Sequence, residues 1–159
     1  GRYGMVLPRF VHQALRNEPI TVYGTGLQTR CFADVRDVVR AVLTLVDDKR
    51  AIGQVFNIGN PEEVSIYDLA RMVKLTAESS SEIKLIPYDE AYQPGFEDMD
   101  RRVPSIEKIS KLTGFKPKFG LKEIVSRVID ARRSEIAALS GVPVTAALQP
   151  HSLRAGVAE

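Results

Sequence analysis

The chain has 159 residues, of which 44% are hydrophobic, and a net charge of +2 from 22 basic and 20 acidic side chains. This composition is typical of one globular domain and excludes a collagen, a disulfide-stapled miniprotein, a disordered tail and a uniformly basic nucleic-acid-binding surface. At about 100 to 200 residues per domain, a dinucleotide-binding half and a substrate-binding half do not both fit into this length.

The single cysteine and the apolar pattern predict where the protein works. Cys31 has no second cysteine with which to form an internal disulfide, and this favours a reducing compartment. The first residues lack the apolar core of a signal peptide, and no run reaches the ~18 apolar residues of a membrane span. We therefore expect a cytoplasmic protein that binds neither membrane nor nucleic acid.

Helices and strands alternate in the prediction for the first part of the chain. Apolar residues at helical spacing predict a helix over 5–16, and the β-branched run 20–23 predicts a strand that ends at a glycine turn. A second, weaker strand is predicted within 29–35. Asp37 is predicted to cap a helix that ends at Asp47, and the apolar stripe of this helix is wide enough to pack against more than one neighbour.

The second part of the chain adds two strands, three helices and one long loop. The predicted elements are a strand at 54–59 followed by a turn at 60–63, a helix at 67–77 that is capped by Ser65 and buries Leu75, a strand at 83–87, a short helix at 105–112 closed by Gly114, and a last helix that begins at 121. Residues 88–102 follow neither period and form an unusually long loop, a kind of segment that is more often functional than idle. Residues 134–159 are predicted to hold the end of the last helix and a mobile tail.

A glycine-rich turn follows the first predicted strand. Gly24-Thr25-Gly26 begins like a Gly-x-Gly-x-x-Gly phosphate loop, but the third glycine position holds Thr29. The residues after it are strand-like, whereas the pyrophosphate site of that loop depends on a helix N-terminus. The turn is therefore not predicted to bind a dinucleotide.

Catalytic residue types are scarce in this sequence. The two histidines are His12, within the first predicted helix, and His151, in the predicted tail, and no His or Cys spacing indicates a metal site. No Tyr is followed four residues later by a Lys, so the sequence does not provide a phenolate base with a lowered pKa. We expect no catalytic residue, no metal ligand and no cofactor-binding residue in this chain.

Two arginine positions are candidates for binding an anion. Arg30 follows the glycine-rich turn, where a guanidinium can clamp a phosphate with two hydrogen bonds, or it pairs instead with Asp34 or Asp37. Arg101-Arg102 ends the long loop, with the alternative that the charges of this region neutralise one another. Tyr23, at the end of a strand, is either a core residue or a platform for a base.

Six segments of the chain together resemble a known family. They are Glu18-Pro19-Ile20-Thr21-Val22-Tyr23-Gly24, Gln28-Thr29-Arg30-Cys31-Phe32, Val35-Arg36-Asp37, Val55-Phe56-Asn57-Ile58-Gly59-Asn60-Pro61-Glu62-Glu63, Arg101-Arg102-Val103-Pro104 and Leu112-Thr113-Gly114-Phe115-Lys116-Pro117. In this order they resemble the C-terminal half of extended short-chain dehydrogenase/reductases. Within these they are most similar to NAD-dependent epimerase/dehydratase enzymes of nucleotide sugars, such as UDP-glucose 4-epimerase and UDP-glucuronate decarboxylase.

The resemblance covers about residues 1–133 and implies an α/β fold. It implies part of a Rossmann-type extended short-chain dehydrogenase/reductase, a small mixed sheet with helices, without the N-terminal cofactor-binding half. The ligand implied is a UDP-sugar or a related nucleotide sugar, and NAD is the cofactor of the full-length family. The resemblance implies that Arg30 contacts the diphosphate, that Arg102 with Asp98 nearby reaches the phosphate or ribose, and that Val6, Leu7, Val22 and Tyr23 line the base pocket.

The function implied is the nucleotide-sugar-binding portion of an epimerase/dehydratase, most like a UDP-glucose 4-epimerase. We expect it to be inactive alone because the family's cofactor loop and Tyr-x-x-x-Lys couple belong to the other half. The alternatives are a stand-alone nucleotide-sugar-binding or interaction module that completes a site with another chain, and a piece of a UDP-glucuronate decarboxylase. In this family the helix 37–47 and the strand 55–58 pack on the cofactor half, so we expect exposed apolar surface and a tendency to form oligomers.

Three positions depart from the family pattern. Thr25 and Ser105 stand where the family usually has Asp, and Asp34 stands near a position usually held by His or another aromatic residue. Asp34 places a carboxylate close to the implied phosphate clamp. The identity of the sugar is therefore not implied.

Overall fold

The computed structural model of the chain describes residues 5–91 and 99–139. The helices are α1 (Val6–Leu15), α2 (Val35–Val46), α3 (Ile66–Thr76), α4 (Tyr88–Ala91), α5 (Glu107–Thr113) and α6 (Leu121–Leu139), and a 3-10 turn covers Lys49–Ala51. The strands are β1 (Ile20–Tyr23), β2 (Thr29–Cys31), β3 (Glu63–Ser65) and β4 (Ile83–Ile86). The predicted α/β fold with small mixed sheets is confirmed.

The four strands form two small sheets. β1 pairs in parallel with β4, with Ile20 opposite Ile83, and β2 pairs antiparallel with β3, with Thr29 opposite Ser65. On its other side Thr29 makes an isolated parallel bridge to Arg101. β2 is thus flanked by β3 and by the last residues of the long loop, although both neighbours lie far away in the sequence.

The main core lies between α1, α3, α6 and β1. α1 supplies a stripe at the i, i+3, i+4, i+7 spacing that defines one helix face, namely Leu7, Phe10, Val11 and Ala14. The fully buried members from the other elements are Ile20, Val22, Leu69, Ala70, Val73 and Val125. This core holds α1 and β1 in a fixed relation, and with them the turn that leads into β2.

The start and the burial of α2 differ from the prediction. The Asp34 carboxylate accepts a hydrogen bond from the Arg36 backbone N–H at 2.9 Å, so Asp34 caps the helix and Asp37 lies in its first turn. Only Asp37 and Ala41 are buried on this helix. The exposed apolar side chains are Val35, Val39, Val42, Leu43 and Val46. The buried side packs against more than one neighbour, since Ala41 clusters with Ile109 of α5 and with Phe115. Burial of the whole stripe is wrong for residues 5–91 and 99–139, because no element among them covers the exposed side chains.

The predicted strand at 54–59 is also wrong. This segment pairs with no other part of the described chain, and Val55 is 82% exposed. A β-branched run becomes a strand only where a neighbouring backbone supplies hydrogen-bond partners, and here that neighbour is missing from the described residues. The opposite holds for Glu63, which was predicted to end a turn and instead begins β3 because β2 lies beside it.

The later helices follow their predicted caps. The Ser65 hydroxyl accepts a hydrogen bond from the Asp68 backbone N–H at 3.0 Å, and Gly114 ends α5 with a φ of 71°, a conformation that favours glycine. Leu75, predicted to be buried, is 72% exposed. The buried stripe of α3 contains Ile66, Leu69, Ala70 and Val73, and position 75 falls outside that period.

Part of the long loop and the predicted tail, 92–98 and 140–159, lie outside the described residues. Within the described ranges, no helix combines the length and the apolar character needed to cross a membrane. The same residues contain no group of three side chains that could hold a metal ion.

Candidate functional site

A cleft of about 470 Å³ opens beside β2, where the long loop returns. The residues that line it are Arg30, Cys31, Ala33, Ile58, Gly59, Asn60, Arg102, Val103 and Pro104. The structure therefore brings Arg30 and Arg102, both predicted to bind an anion, to one cleft. Guanidinium groups match the oxygens of phosphates in two-point geometry, so this pair can hold an anion from two separate elements.

Arg30 is held in place by backbone carbonyls. Its Nη1 donates hydrogen bonds to Thr29 O and to Met99 O, both at 2.7 Å, and these bonds tie the half-buried side chain to the end of the long loop. The alternative pairing with Asp34 or Asp37 is wrong. Asp34 pairs with Arg36, and Asp37 pairs with Arg40.

The two arginines that end the long loop point to different places. Arg101 forms a two-point ion pair with Glu63, with Nη2 to Oε1 at 2.6 Å and Nε to Oε2 at 3.0 Å. Arg102 lines the cleft and makes no ion pair with any residue in 5–91 or 99–139. The hydrogen bonds from Arg101 and from Thr29 lower the pKa of the Glu63 carboxyl, so that Glu63 is ionised at neutral pH.

The carboxylate of Asp34 is paired within α2. It accepts hydrogen bonds from Arg36 Nε at 2.8 Å and Nη2 at 2.9 Å. The side-chain hydrogen bonds from Arg36 are the main reason that the pKa of Asp34 falls to about 2. This pairing reduces the repulsion that Asp34 was expected to exert on an anion near Arg30.

The four residues implied to line the base pocket do not line this cleft. Leu7 and Val22 lie in the main core with 5% and 0% of their surface exposed, and Val6 packs against the same core. Tyr23 is half-buried at the end of β1, and the guanidinium carbon of Arg9 lies 4.1 Å from the centre of its ring. A ligand that reaches Leu7 or Val22 therefore meets their backbone rather than their side chains. Asp98, the remaining predicted site residue, lies outside the described residues.

Arg9 is a residue that the sequence did not point to. Its Nη2 donates to Thr21 O at 3.0 Å, and its buried Nε has no hydrogen-bond partner among the described residues. Its contact with Tyr23 joins α1 to β1, and no local pattern predicts a contact between two elements. Asn60 was also missed as a cleft residue. Its Oδ1 accepts a hydrogen bond from the Glu62 backbone N–H at 3.0 Å, a turn that the Asn-Pro pair does signal.

A second, larger cavity of about 840 Å³ lies between α1, α6 and the start of α2. It includes His12, whose Nδ1 is 3.4 Å from Arg132 Nη2, and it shares only Ala33 with the cleft beside β2. The half-buried position of His12 on a helix agrees with its interpretation as a helix residue rather than a base.

The glycine-rich turn after β1 does not fit the pyrophosphate of NAD. Such a site requires a glycine-rich loop that leads into a helix N-terminus. Gly24 and Gly26 have φ values of 67° and 74°, and the turn leads into β2. Gly26 O accepts a hydrogen bond from the Tyr67 backbone N–H at 3.0 Å, and a Cβ added to Gly26 would lie 2.8 Å from Val22 Cγ1. Gly26 therefore permits close packing between β1 and α3.

Comparison with known proteins relates this architecture to one family. The model of the NAD dependent epimerase/dehydratase family matches residues 1–59. The UDP-N-acetyl-alpha-D-glucosaminuronate decarboxylase of Bacillus cytotoxicus is 38% identical over 129 residues, which cover 79% of this chain and 40% of that protein. The UDP-glucuronic acid decarboxylase 4 of Arabidopsis thaliana is 39% identical over 120 residues, 76% of this chain and 25% of that protein.

Solved structures give the same relation. The UDP-glucuronic acid 4-epimerase of Bacillus cereus, solved with UDP-glucuronic acid and NAD, has a TM-score of 0.72 and 27% identity, covering 82% of this chain and 40% of its own. The UDP-glucose 4-epimerase of Thermotoga maritima, solved with UDP-glucose, has a TM-score of 0.73 and 27% identity, covering 86% and 42%. The chain spans 40% and 25% of the length of the two decarboxylases above. It belongs to the NAD-dependent epimerase/dehydratase family and corresponds to part of the length of the full family members.

Proposed function

We propose that this chain is the nucleotide-sugar-binding portion of an NAD-dependent epimerase/dehydratase, and that the cleft beside β2 binds the diphosphate of a UDP-sugar. The observation that carries this proposal is the convergence of Arg30 and Arg102 on one cleft. A diphosphate presents oxygens on both sides, so two guanidinium groups from different elements can hold it between them. The relatives, a UDP-glucuronic acid decarboxylase and two UDP-sugar epimerases among them, suggest the ligand class.

The base is proposed to lie near the end of β1. Tyr23 offers an aromatic ring there, while Val22, Leu7 and Val6 form a rigid support beneath the backbone. The proposal includes Asp98 as a partner of Arg102 toward the phosphate or ribose. The glycine turn connects β1 directly to β2, so a base at Tyr23 and a diphosphate at β2 would be bound by neighbouring segments of the chain.

Two reactions are candidates for the full-length protein. A UDP-glucose 4-epimerase was expected from the sequence. Decarboxylation of a UDP-hexuronate is the second candidate, because relatives named UDP-glucuronic acid decarboxylase are 35% to 39% identical to this chain, whereas the two solved epimerases above are 27% identical. We propose that neither reaction proceeds on the 159-residue chain alone, because the sequence has no Tyr-x-x-x-Lys couple.

Calorimetry with UDP, UDP-glucose and UDP-glucuronate tests the proposed site. We expect heat of binding from all three and none from uridine at the same concentration, because uridine lacks the diphosphate. With NAD and either UDP-sugar, we expect no epimerised or decarboxylated product. Absence of heat at millimolar UDP would exclude a working nucleotide-sugar site, and turnover by the pure chain would overturn the proposal that it is inactive alone.

We also propose that the exposed face of α2 is covered by the cofactor-binding half of the family fold. A groove of about 510 Å³ runs along this helix beside Val35, Val39 and Leu43. Val55, from the segment that the family resemblance places at the same interface, is also exposed. Contiguous apolar surface of this kind is typical of an interface. The chain matches 40% of the Bacillus cereus epimerase, so the remainder of that fold is the partner that this face suits.

Sedimentation velocity tests this interface. We expect the isolated chain to self-associate with rising concentration, because the apolar face is exposed. Leu43→Glu is expected to suppress the association, since Leu43 is on the face, whereas Leu75→Glu is the matched control on α3. A wild-type chain that stays monomeric at high concentration, or two variants with equal effects, would contradict the proposed interface.

A further inference from the structure

The last residues of the long loop lie against β2 like a short third strand. The Thr29 backbone N–H donates to Asp100 O at 2.8 Å, and Thr29 is also bridged to Arg101. On the same side Arg30 Nη1 donates to Met99 O. Three successive residues of the loop are thereby joined to two residues of β2.

The side chains of Arg101 and Arg102 point to opposite faces of this segment. Successive side chains in an extended backbone point to opposite faces. Arg101 points toward Thr29 and Glu63, whereas Arg102 lines the cleft together with Arg30. Glu63 and Arg101 do not line the cleft.

A shift of one residue in this segment would move Arg102 away from its position at the cleft. Pairing registers that differ by one residue place every side chain on the other face. Shifted one way, the segment would place Val103 at that cleft position and Arg102 beside Glu63. Shifted the other way, it would place Arg101 there and Asp100 beside Glu63. The contacts with Thr29 and Arg30 use main-chain atoms of the loop, which every residue carries, so a side-chain contact is needed to distinguish the observed register.

Glu63 supplies that contact. Its Oε1 and Oε2 accept two hydrogen bonds from Arg101, and Oε2 also accepts one from the Thr29 hydroxyl at 2.9 Å. A two-point arginine–carboxylate pair has a defined geometry as well as strength. β3 carries Glu63, and its pairing with β2 places Glu63 opposite Cys31. The ion pair therefore joins β3, β2 and the loop.

We propose that Glu63 is a positioning residue for the diphosphate: by holding Arg101 on the face away from the cleft, it fixes the register that presents Arg102 to the cleft. This inference rests on the proposed function, since the diphosphate is the ligand that Arg102 would meet. Glu63 acts through the loop and has no contact with the ligand.

The direction in which the affinity for UDP changes when Glu63 is replaced separates this role from a general electrostatic effect. Removing a carboxylate near an anion site raises the affinity for the anion if only long-range charge matters. If Glu63 positions Arg102, its removal lowers the affinity instead. Glu62 provides a matched control, because it is the adjacent exposed carboxylate and makes no ion pair with a described residue.

The experiment is calorimetric titration of UDP into the wild-type chain and into the variants Glu63→Gln, Glu63→Ala and Glu62→Gln. We expect Glu63→Ala to weaken UDP binding about tenfold, the scale of coupling between groups in contact, with a smaller loss in Glu63→Gln. We expect Glu62→Gln to leave the affinity unchanged or slightly raised. Hydrogen exchange at the Thr29 amide is expected to quicken in Glu63→Ala, because the loop that accepts its hydrogen bond is released.

Failure of the inference is distinguishable from failure of the proposed function. If the wild-type chain binds no UDP, both are overturned. If it binds UDP while Glu63→Gln and Glu63→Ala bind as tightly or more tightly, only the positioning role is overturned. Should Glu63→Ala fail to fold by circular dichroism, Glu63→Gln, which keeps the size of the side chain, decides the question.

Discussion

Replacing Arg30 with alanine is expected to weaken UDP binding about 100-fold. Hydrogen bonds to charged groups contribute about 1.5–3 kcal/mol each, and tenfold in affinity corresponds to about 1.4 kcal/mol. Arg30 also donates to Met99 O, so its removal loosens the loop that carries Arg102. Both consequences lower the affinity for a diphosphate. Calorimetry with UDP measures the change.

Two further variants identify the cause of that loss. Arg30→Lys keeps the charge but not the planar two-point geometry, so we expect an intermediate loss of about tenfold. Arg16→Ala is the control, since Arg16 is an exposed arginine that pairs with Glu18 outside the cleft. Equal UDP affinity in Arg30→Ala and Arg16→Ala would show that the cleft does not bind the diphosphate.

Local sequence pattern predicts the helices of this fold well, but it predicts strand partners and the burial of helix faces poorly. The helix α1 and the Ser65 cap of α3 depend on neighbours within a few residues, and both are confirmed. The predicted strand at 54–59 depended on a partner strand that is absent from the described residues. The apolar face of α2 was visible in the sequence, but its exposure among the described residues depends on tertiary packing, which local pattern does not encode.

The candidate site shows the same division. The sequence pointed to Arg30 and Arg102 separately, from residue type and from the resemblance. Their meeting at one cleft depends on the pairing of Thr29 with the loop, a long-range register that no local spacing encodes. The role proposed for Glu63 depends on the same register, because Glu63 and Arg101 are 38 residues apart in the sequence.

The two aspartates at the start of α2 show how a tertiary contact decides between similar residues. Asp34 and Asp37 each suit a helix N-terminus by residue type. Asp34 takes the cap. Asp37 turns inward, where it is 2% exposed and accepts hydrogen bonds from the backbone N–H groups of Lys118 and Phe119 at 2.8 and 3.2 Å. Asp37 therefore joins α2 to the segment before α6.

Asp37→Ala is expected to lower the free energy of unfolding by about 3 kcal/mol. The substitution leaves two amides unsatisfied and removes the partner of Arg40, whose Nη2 lies 2.5 Å from Asp37 Oδ1. Loss of one partner from a buried ion pair costs about 3–5 kcal/mol, and the lower end applies here because the Arg40 side chain is 35% exposed. Asp47→Ala, at the exposed end of the same helix, is the control and is expected to change stability by less than about 0.5 kcal/mol. Urea denaturation measures both.

The pH dependence of this effect has a definite sign. Burial alone would raise the pKa of Asp37, but hydrogen bonds from Arg40 and from the two backbone amides outweigh it and hold the pKa below its usual value. A carboxyl whose pKa is lowered by folding contributes stability that is fully present above its unfolded pKa of about 4 and is lost as the pH falls through the folded pKa. The stability difference between wild type and Asp37→Asn should therefore shrink below about pH 4. A difference that stays constant from pH 7 to pH 3 would show that the charge of Asp37 contributes nothing and that only its shape matters.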